Sequence, residues 1–157
     1  PDSLRFRTLV NGRTVYGGGG IMPDVFVPAD TSDYSDYYRS LVSRGILNSF
    51  SLEYSDKNRK KLASDYLTFD DFRSRFSFSQ EEVNALISKA EKEGIKYNEE
   101  QFNISRNAIL NVTKALIASN RWKTNEYFMI LNEDDIVIEK ALQLINNKAE
   151  YDRIRGY

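Results

Sequence analysis

The chain has 157 residues, with 22 basic and 23 acidic side chains and neither cysteine nor histidine. The two absences remove disulfides, thiolate nucleophiles, every Ser-His-Asp or Cys-His arrangement and most transition-metal sites. The balanced charge leaves no electrostatic footprint for nucleic acid or an anionic membrane, and no apolar run approaches the roughly 20 residues that span a bilayer.

Ten Tyr and nine Phe supply aromatic mass for a packed core, and a chain this long hides roughly 70% of the surface its unfolded form exposes. Leu4 to Val10 alternates Leu4, Phe6, Thr8 and Val10 with Arg5, Arg7 and Leu9, the period of a strand. Asn11-Gly12 is a two-residue turn signal, so Arg13 to Tyr16 is predicted to return as the second strand of a hairpin. After four consecutive glycines, Asp24 to Val27 is a third short extended piece between Pro23 and Pro28. Three such strands do not form a stable sheet unless one face packs on something.

From Thr31 onward the apolar spacing is helical. Tyr34, Tyr37, Tyr38, Leu41 and Val42 lead to Gly45 at a helix end, and Leu47, Phe50, Tyr54, Leu62 and Tyr66 continue on one stripe, interrupted only by Asn58. A short Phe69–Phe72–Phe76 helix follows, then Ser79-Gln80-Glu81-Glu82, a capping box that opens a helix stopping at Gly94. Further helices are predicted over about 98–120, 125–131 and 134–148, the last with Val137, Ala141, Leu144 and Ile145 inward. Trp122 reads as core or inter-helix packing. The predicted fold is mainly α: a β-arm of two or three short strands over 1–30, then a compact helical domain over 31–157.

The glycine run does not carry phosphate chemistry. A Walker loop needs Gly-Lys-Ser/Thr opening a helix, whereas Ile21-Met22-Pro23 follows, and a dinucleotide loop must also lead from strand to helix. Lys57-Asn58-Arg59-Lys60-Lys61 sits among Glu53, Asp56 and Asp65 and reads as a solvated helix face. Glu133-Asp134-Asp135 lacks a calcium-loop pattern and reads as helix capping.

Residues 12–28 run Gly-Arg-Thr-Val-Tyr-Gly-Gly-Gly-Gly-Ile-Met-Pro-Asp-Val-Phe-Val-Pro. This resembles the G-R-x-V-Y-G-G-G-G-I-x-P-D-x-x-V-P sentence at the end of the peptidase domain in carboxyl-terminal processing (tail-specific) serine peptidases. A second stretch over 114–145, containing Lys-Ala-Leu-Ile-Ala-Ser-Asn-Arg-Trp, Glu-Tyr-Phe-Met-Ile-Leu-Asn-Glu-Asp-Asp and Lys-Ala-Leu-Gln-Leu-Ile, is similar to the C-terminal end of longer bacterial members.

The resemblance implies that Gly17, Gly18, Gly19, Gly20, Ile21, Pro23 and Asp24 are structural residues of that sentence. It implies a parent that hydrolyses peptide bonds near protein C-termini in the periplasm or cell envelope, with a serine nucleophile and a lysine base. Both lie upstream in the family, and a chain that begins Pro1-Asp2-Ser3 reads as a cut-out segment or a processed product. No serine in this chain is followed three residues later by lysine, so no catalytic residue, metal ligand or cofactor is assigned.

The expected partners are the upstream peptidase core and, through the parent, protein or peptide substrates, with self-association through the arm as a further expectation. The alternative is a self-contained helical module for protein interaction or oligomerisation. A third reading, that the segment is itself an enzyme, has the least behind it.

Overall fold

The computed structural model describes residues 4–18, 20, 22–28 and 32–156. The fold is mainly α, with nine helices and a two-stranded antiparallel sheet among the described residues. The chain divides into two compact units: Asp30–Glu133, and Pro1–Ala29 together with Asp134–Tyr157. The predicted boundary at 30/31 keeps everything after it in one helical domain. The structure instead groups the last two helices with the arm.

The larger unit is a helical body. Helix α1 (Asp36–Ser43) starts where Ser35 Oγ accepts from the Tyr38 N–H, and Gly45, in the left-handed region at φ 67°, turns the chain into α2 (Ile46–Lys57). Asn58 ends α2 because its side chain donates to the Tyr54 carbonyl at 3.0 Å, and α3 (Arg59–Asp65) restarts the stripe. Helix α4 (Phe69–Arg75) is capped by Thr68.

Helix α5 (Gln80–Lys92) opens with the predicted capping box: Ser79 Oγ accepts from the Glu82 N–H, and Glu82 accepts from the Ser79 N–H at 2.8 Å. It ends at Gly94, where the Ile95 N–H closes on the Ala90 carbonyl at 2.9 Å. Helix α6 (Glu99–Arg121) packs against α1, α2 and α7 (Thr124–Leu131).

The two ends of α6 serve different cores. Its N-terminal half places Phe102 and Ile109 among Tyr37, Leu41, Leu47, Phe50 and Leu86. Its C-terminal half buries Ala115, Ile117 and Ala118 against Leu62, Phe72, Phe76 and Ile130, and two alanines there let the neighbouring helices come close. Trp122 packs in this second cluster, 5.4 Å from the Phe72 ring, while Arg121 lies over the indole. The hydroxyls of the buried serines and threonine are satisfied: Ser105 donates to Ser35 Oγ at 2.7 Å, Ser51 to the Asn48 carbonyl and Thr113 to the Ile109 carbonyl.

Glu82 has a second task, since its Oε1 accepts from the Tyr54 hydroxyl at 2.6 Å. Glu82→Ala removes one arm of the box and leaves that hydroxyl without its acceptor. The expected loss is about 1–3 kcal/mol, read from urea unfolding.

The smaller unit holds β1 (Arg5–Arg7), β2 (Thr14–Tyr16), α8 (Ile136–Asn146) and α9 (Lys148–Arg155). The strands pair Arg5 with Tyr16, Phe6 with Val15 and Arg7 with Thr14. This register corrects the predicted two-residue turn. Thr8 and Arg13 close the ladder at 2.9 Å around a four-residue loop, Leu9 to Gly12. The cause is local: Thr8 Oγ1 accepts from the Arg13 N–H and donates to Asn11, while Gly12 at φ 63° returns its own N–H to the Thr8 carbonyl.

The extended piece predicted over Asp24 to Val27 forms no strand. The single helix predicted over 134–148 is two helices, broken at Asn147, whose side chain caps α9. Asp135 caps α8 as expected from its acidic run, accepting from Val137 and Ile138. The inward face predicted for α8 is a further correction. Val137, Ala141 and Ile145 are exposed, Leu144 is half-buried, and neither α8 nor α9 contains a buried residue.

Candidate interaction surface

The glycine sentence sits in the smaller unit, and its glycine run begins directly after β2. Gly17 continues the ladder, its N–H donating to the Leu4 carbonyl at 2.7 Å. A methyl group at Gly17 would meet the Phe6 ring at 2.7 Å, so the bare backbone is what lets that ring come so close. Gly18 and Gly20 take φ values of 85° and 103°, which L side chains rarely adopt. Gly19 and Ile21 lie outside the described residues. Pro23 is exposed, and Asp24 is paired with Arg13 at 2.8 Å.

That ion pair is part of a polar node that joins three distant pieces of sequence. Arg13 donates to the Ile154 carbonyl at 3.2 Å, and the Asn11 amide donates to the Arg155 carbonyl. Both acceptors are in the last turn of α9, where free carbonyls carry the negative end of the helix dipole and a guanidinium is welcome. A groove of about 560 Å³ opens beside the node, lined by Thr8, Arg13, Asp24, Leu144, Tyr151 and Ile154.

In the sequence Asn11 is legible only as a turn residue, and Arg13 has no visible partner. Nothing in the spacing links position 13 to position 154. Arg13→Met keeps the length of the side chain and deletes the charge. About 1 kcal/mol of local stabilisation is at stake, so amide exchange across residues 8–27 and 148–155 is expected to quicken about fivefold, as read by mass spectrometry.

Among the described residues, no side chain of the smaller unit is fully buried. The hairpin is nevertheless amphipathic. Leu4, Phe6 and Val15 share one face, and Arg5, Arg7, Thr14 and Tyr16 share the other. Phe6 is 56% exposed, and Leu9 and Val10 at the loop stand 103% and 86% exposed. Met22, Phe26, Leu142 and Ile145 are open to solvent as well. Single exposed apolar residues are ordinary, but a unit that has them throughout and no interior of its own is not.

In the helical body, one lysine is partly withdrawn from solvent, unlike the run over Lys57 to Lys61. Burial pushes the Lys114 ammonium below its ordinary value; Glu133 opposes that, and the Arg73 charge adds to it. Its Nζ donates to the Arg73 carbonyl at 2.7 Å, and Arg73 pairs with Glu133, so this cation braces α6 against α4. No helix among the described residues is long and apolar enough to cross a membrane.

The class these features define is a mainly α protein with a helical body that holds two buried cores and a smaller unit in which no described side chain is fully buried. Residues 37–123, more than half of the chain and entirely within the body, match a family of unknown function, DUF8443, and the chain belongs to that family. No curated protein and no solved structure matches it.

Proposed function

We propose that this chain is the non-catalytic C-terminal part of a carboxyl-terminal processing serine peptidase. Its arm completes the upstream core, and its helical body acts as a scaffold or shapes substrate access. The observation that carries this reading is the smaller unit: an amphipathic hairpin with no fully buried side chain, in the segment whose sequence resembles the end of that peptidase domain. Two short strands are not stable alone, and a larger sheet would cover Leu4, Phe6 and Val15. The parent chemistry is hydrolysis of peptide bonds in the periplasm or cell envelope, with the serine and lysine supplied by the core.

The test is co-expression with a peptidase core that stops before the glycine sentence. The two pieces are expected to co-purify and to cleave an unstructured protein such as casein, which the chain alone leaves intact. Cleavage by the isolated chain that disappears on substituting one of its own serines overturns the assignment. So does a gene whose upstream coding sequence lacks the Ser and Lys of such a core.

The hydrogen bonds from Asn11 and Arg13 to α9 favour a second reading, a self-contained interaction module in which the hairpin is held by its own chain. A strict monomer in sedimentation at two concentrations, with residues 4–27 resistant to limited proteolysis, supports the module instead.

A further inference from the structure

We infer that the outer edge of β1 is built to receive an extended strand bearing carboxylates at alternate positions, contributed by the sheet of the upstream core. This rests on the reading of the hairpin as an incomplete sheet and adds the chemistry of the neighbour.

The register fixes which main-chain groups are free. Leu4 bonds Gly17 and Thr8 bonds Arg13. In an antiparallel ladder bonded pairs alternate, so Phe6 bonds Val15, and the N–H and C=O groups of Arg5 and Arg7 point away from β2. All three β1 residues are exposed, whereas Thr14 and Val15 of β2 are half-buried, so the open edge is that of β1. A strand added there would pair with Arg5 and Arg7 at hydrogen-bonded positions. Its alternate side chains would lie beside the two guanidiniums.

Neither guanidinium has an acidic partner among the described residues. Arg7 makes one long contact, 3.4 Å, to the Gly12 carbonyl in its own loop. A second copy of this chain is the wrong neighbour, because two-fold pairing through β1 would set arginine against arginine, a common device against edge-to-edge association. Carboxylates at positions i and i+2 of the incoming strand meet the same two charges favourably, and the apolar residues between them would extend the Leu4–Phe6–Val15 face.

The test uses the full chain, labelled for NMR, and two nine-residue peptides that alternate valine with glutamate or with lysine. The glutamate peptide is expected to shift the amide signals of Arg5 and Arg7 at least fivefold more than the lysine peptide does. The double variant R5E/R7E, whose substitutions fall on exposed side chains, should reverse that order. Equal shifts with both peptides, no shift with either, or a variant that keeps the wild-type order overturns the inference. The peptide measurement does not depend on the parent being a peptidase. A negative result removes the acidic strand and leaves the Ser/Lys question to the co-expression test.

Discussion

Replacing Phe72 by alanine is expected to lower the unfolding free energy by about 3–5 kcal/mol, the largest effect of any single truncation in this chain. Phe72 is wholly buried and is the hub of the second core. Its ring lies 4.5 Å from that of Phe76, 5.4 Å from Tyr66 and 5.4 Å from Trp122. Alanine removes the partner of three rings at once, and the helices around it, stiffened by the Arg73–Glu133 pair and by Lys114 on the Arg73 carbonyl, close only partly on the void. With a urea slope of about 1–3 kcal/mol per molar, the midpoint should fall by roughly 2 M. The adjacent indole is the natural fluorescent reporter. A shift under about 0.5 M would mean that the second cluster is not the cooperative core its burial implies. Phe72→Leu, which keeps most of the volume, should recover most of the loss.

The second large effect is a loss of stability in alkali. Burial, with the charge of Glu91 and the neighbouring Tyr97 adding to it, pushes the Tyr37 phenol from its ordinary value of 10.0 up to about 12. Burial and then the hydrogen bond to Glu82 raise Tyr54 as well, and burial raises Tyr38. The raised groups hold their protons in the folded state after the unfolded chain has released its own. The unfolded state therefore binds fewer protons above pH 10, and stability falls as pH rises. The contribution is complete below pH 10 and for Tyr37 is lost between pH 10 and about 12. Urea midpoints should be flat from pH 7 to 9 and then drop steeply. Tyr37→Phe, whose hydroxyl has no hydrogen-bond partner to lose, should soften the drop without weakening the protein at pH 7. A variant as alkali-sensitive as the wild type would assign the loss to Tyr54 and Tyr38.

What was legible in the sequence was local. The Ser79–Glu82 box, the glycine stops at Gly45 and Gly94, the break at Asn58 and the cap at Asp135 are each settled by a few neighbouring residues, and each stands where the sequence put it. The hairpin was legible in existence but not in register, because the Thr8 hydroxyl selects a longer loop than Asn11-Gly12 advertises. The apolar stripe of α8 is legible too, but its exposure is not. Periodicity identifies which face of a helix is apolar; it does not say whether anything covers that face. The same limit applies to the arm. The glycine sentence located the surface, yet the ties from Arg13 to Asp24 and Ile154 span loops whose closure no spacing rule encodes. The sequence is silent on Lys114, since a lysine's solvation is decided by the helices that come to lie around it.

The tie between Asn11 and Arg155 joins residues 144 positions apart. At ribosomal rates of about 5–20 residues per second, the hairpin emerges roughly 7–30 seconds before the helix turn that clasps it. Throughout that interval Asn11 and Arg13 lack the α9 carbonyls that hold them, while the body between can already fold from its short-range helices. Such a delay gives chaperones a long window at the hairpin, and yield in the cell should depend on how well it is shielded during translation.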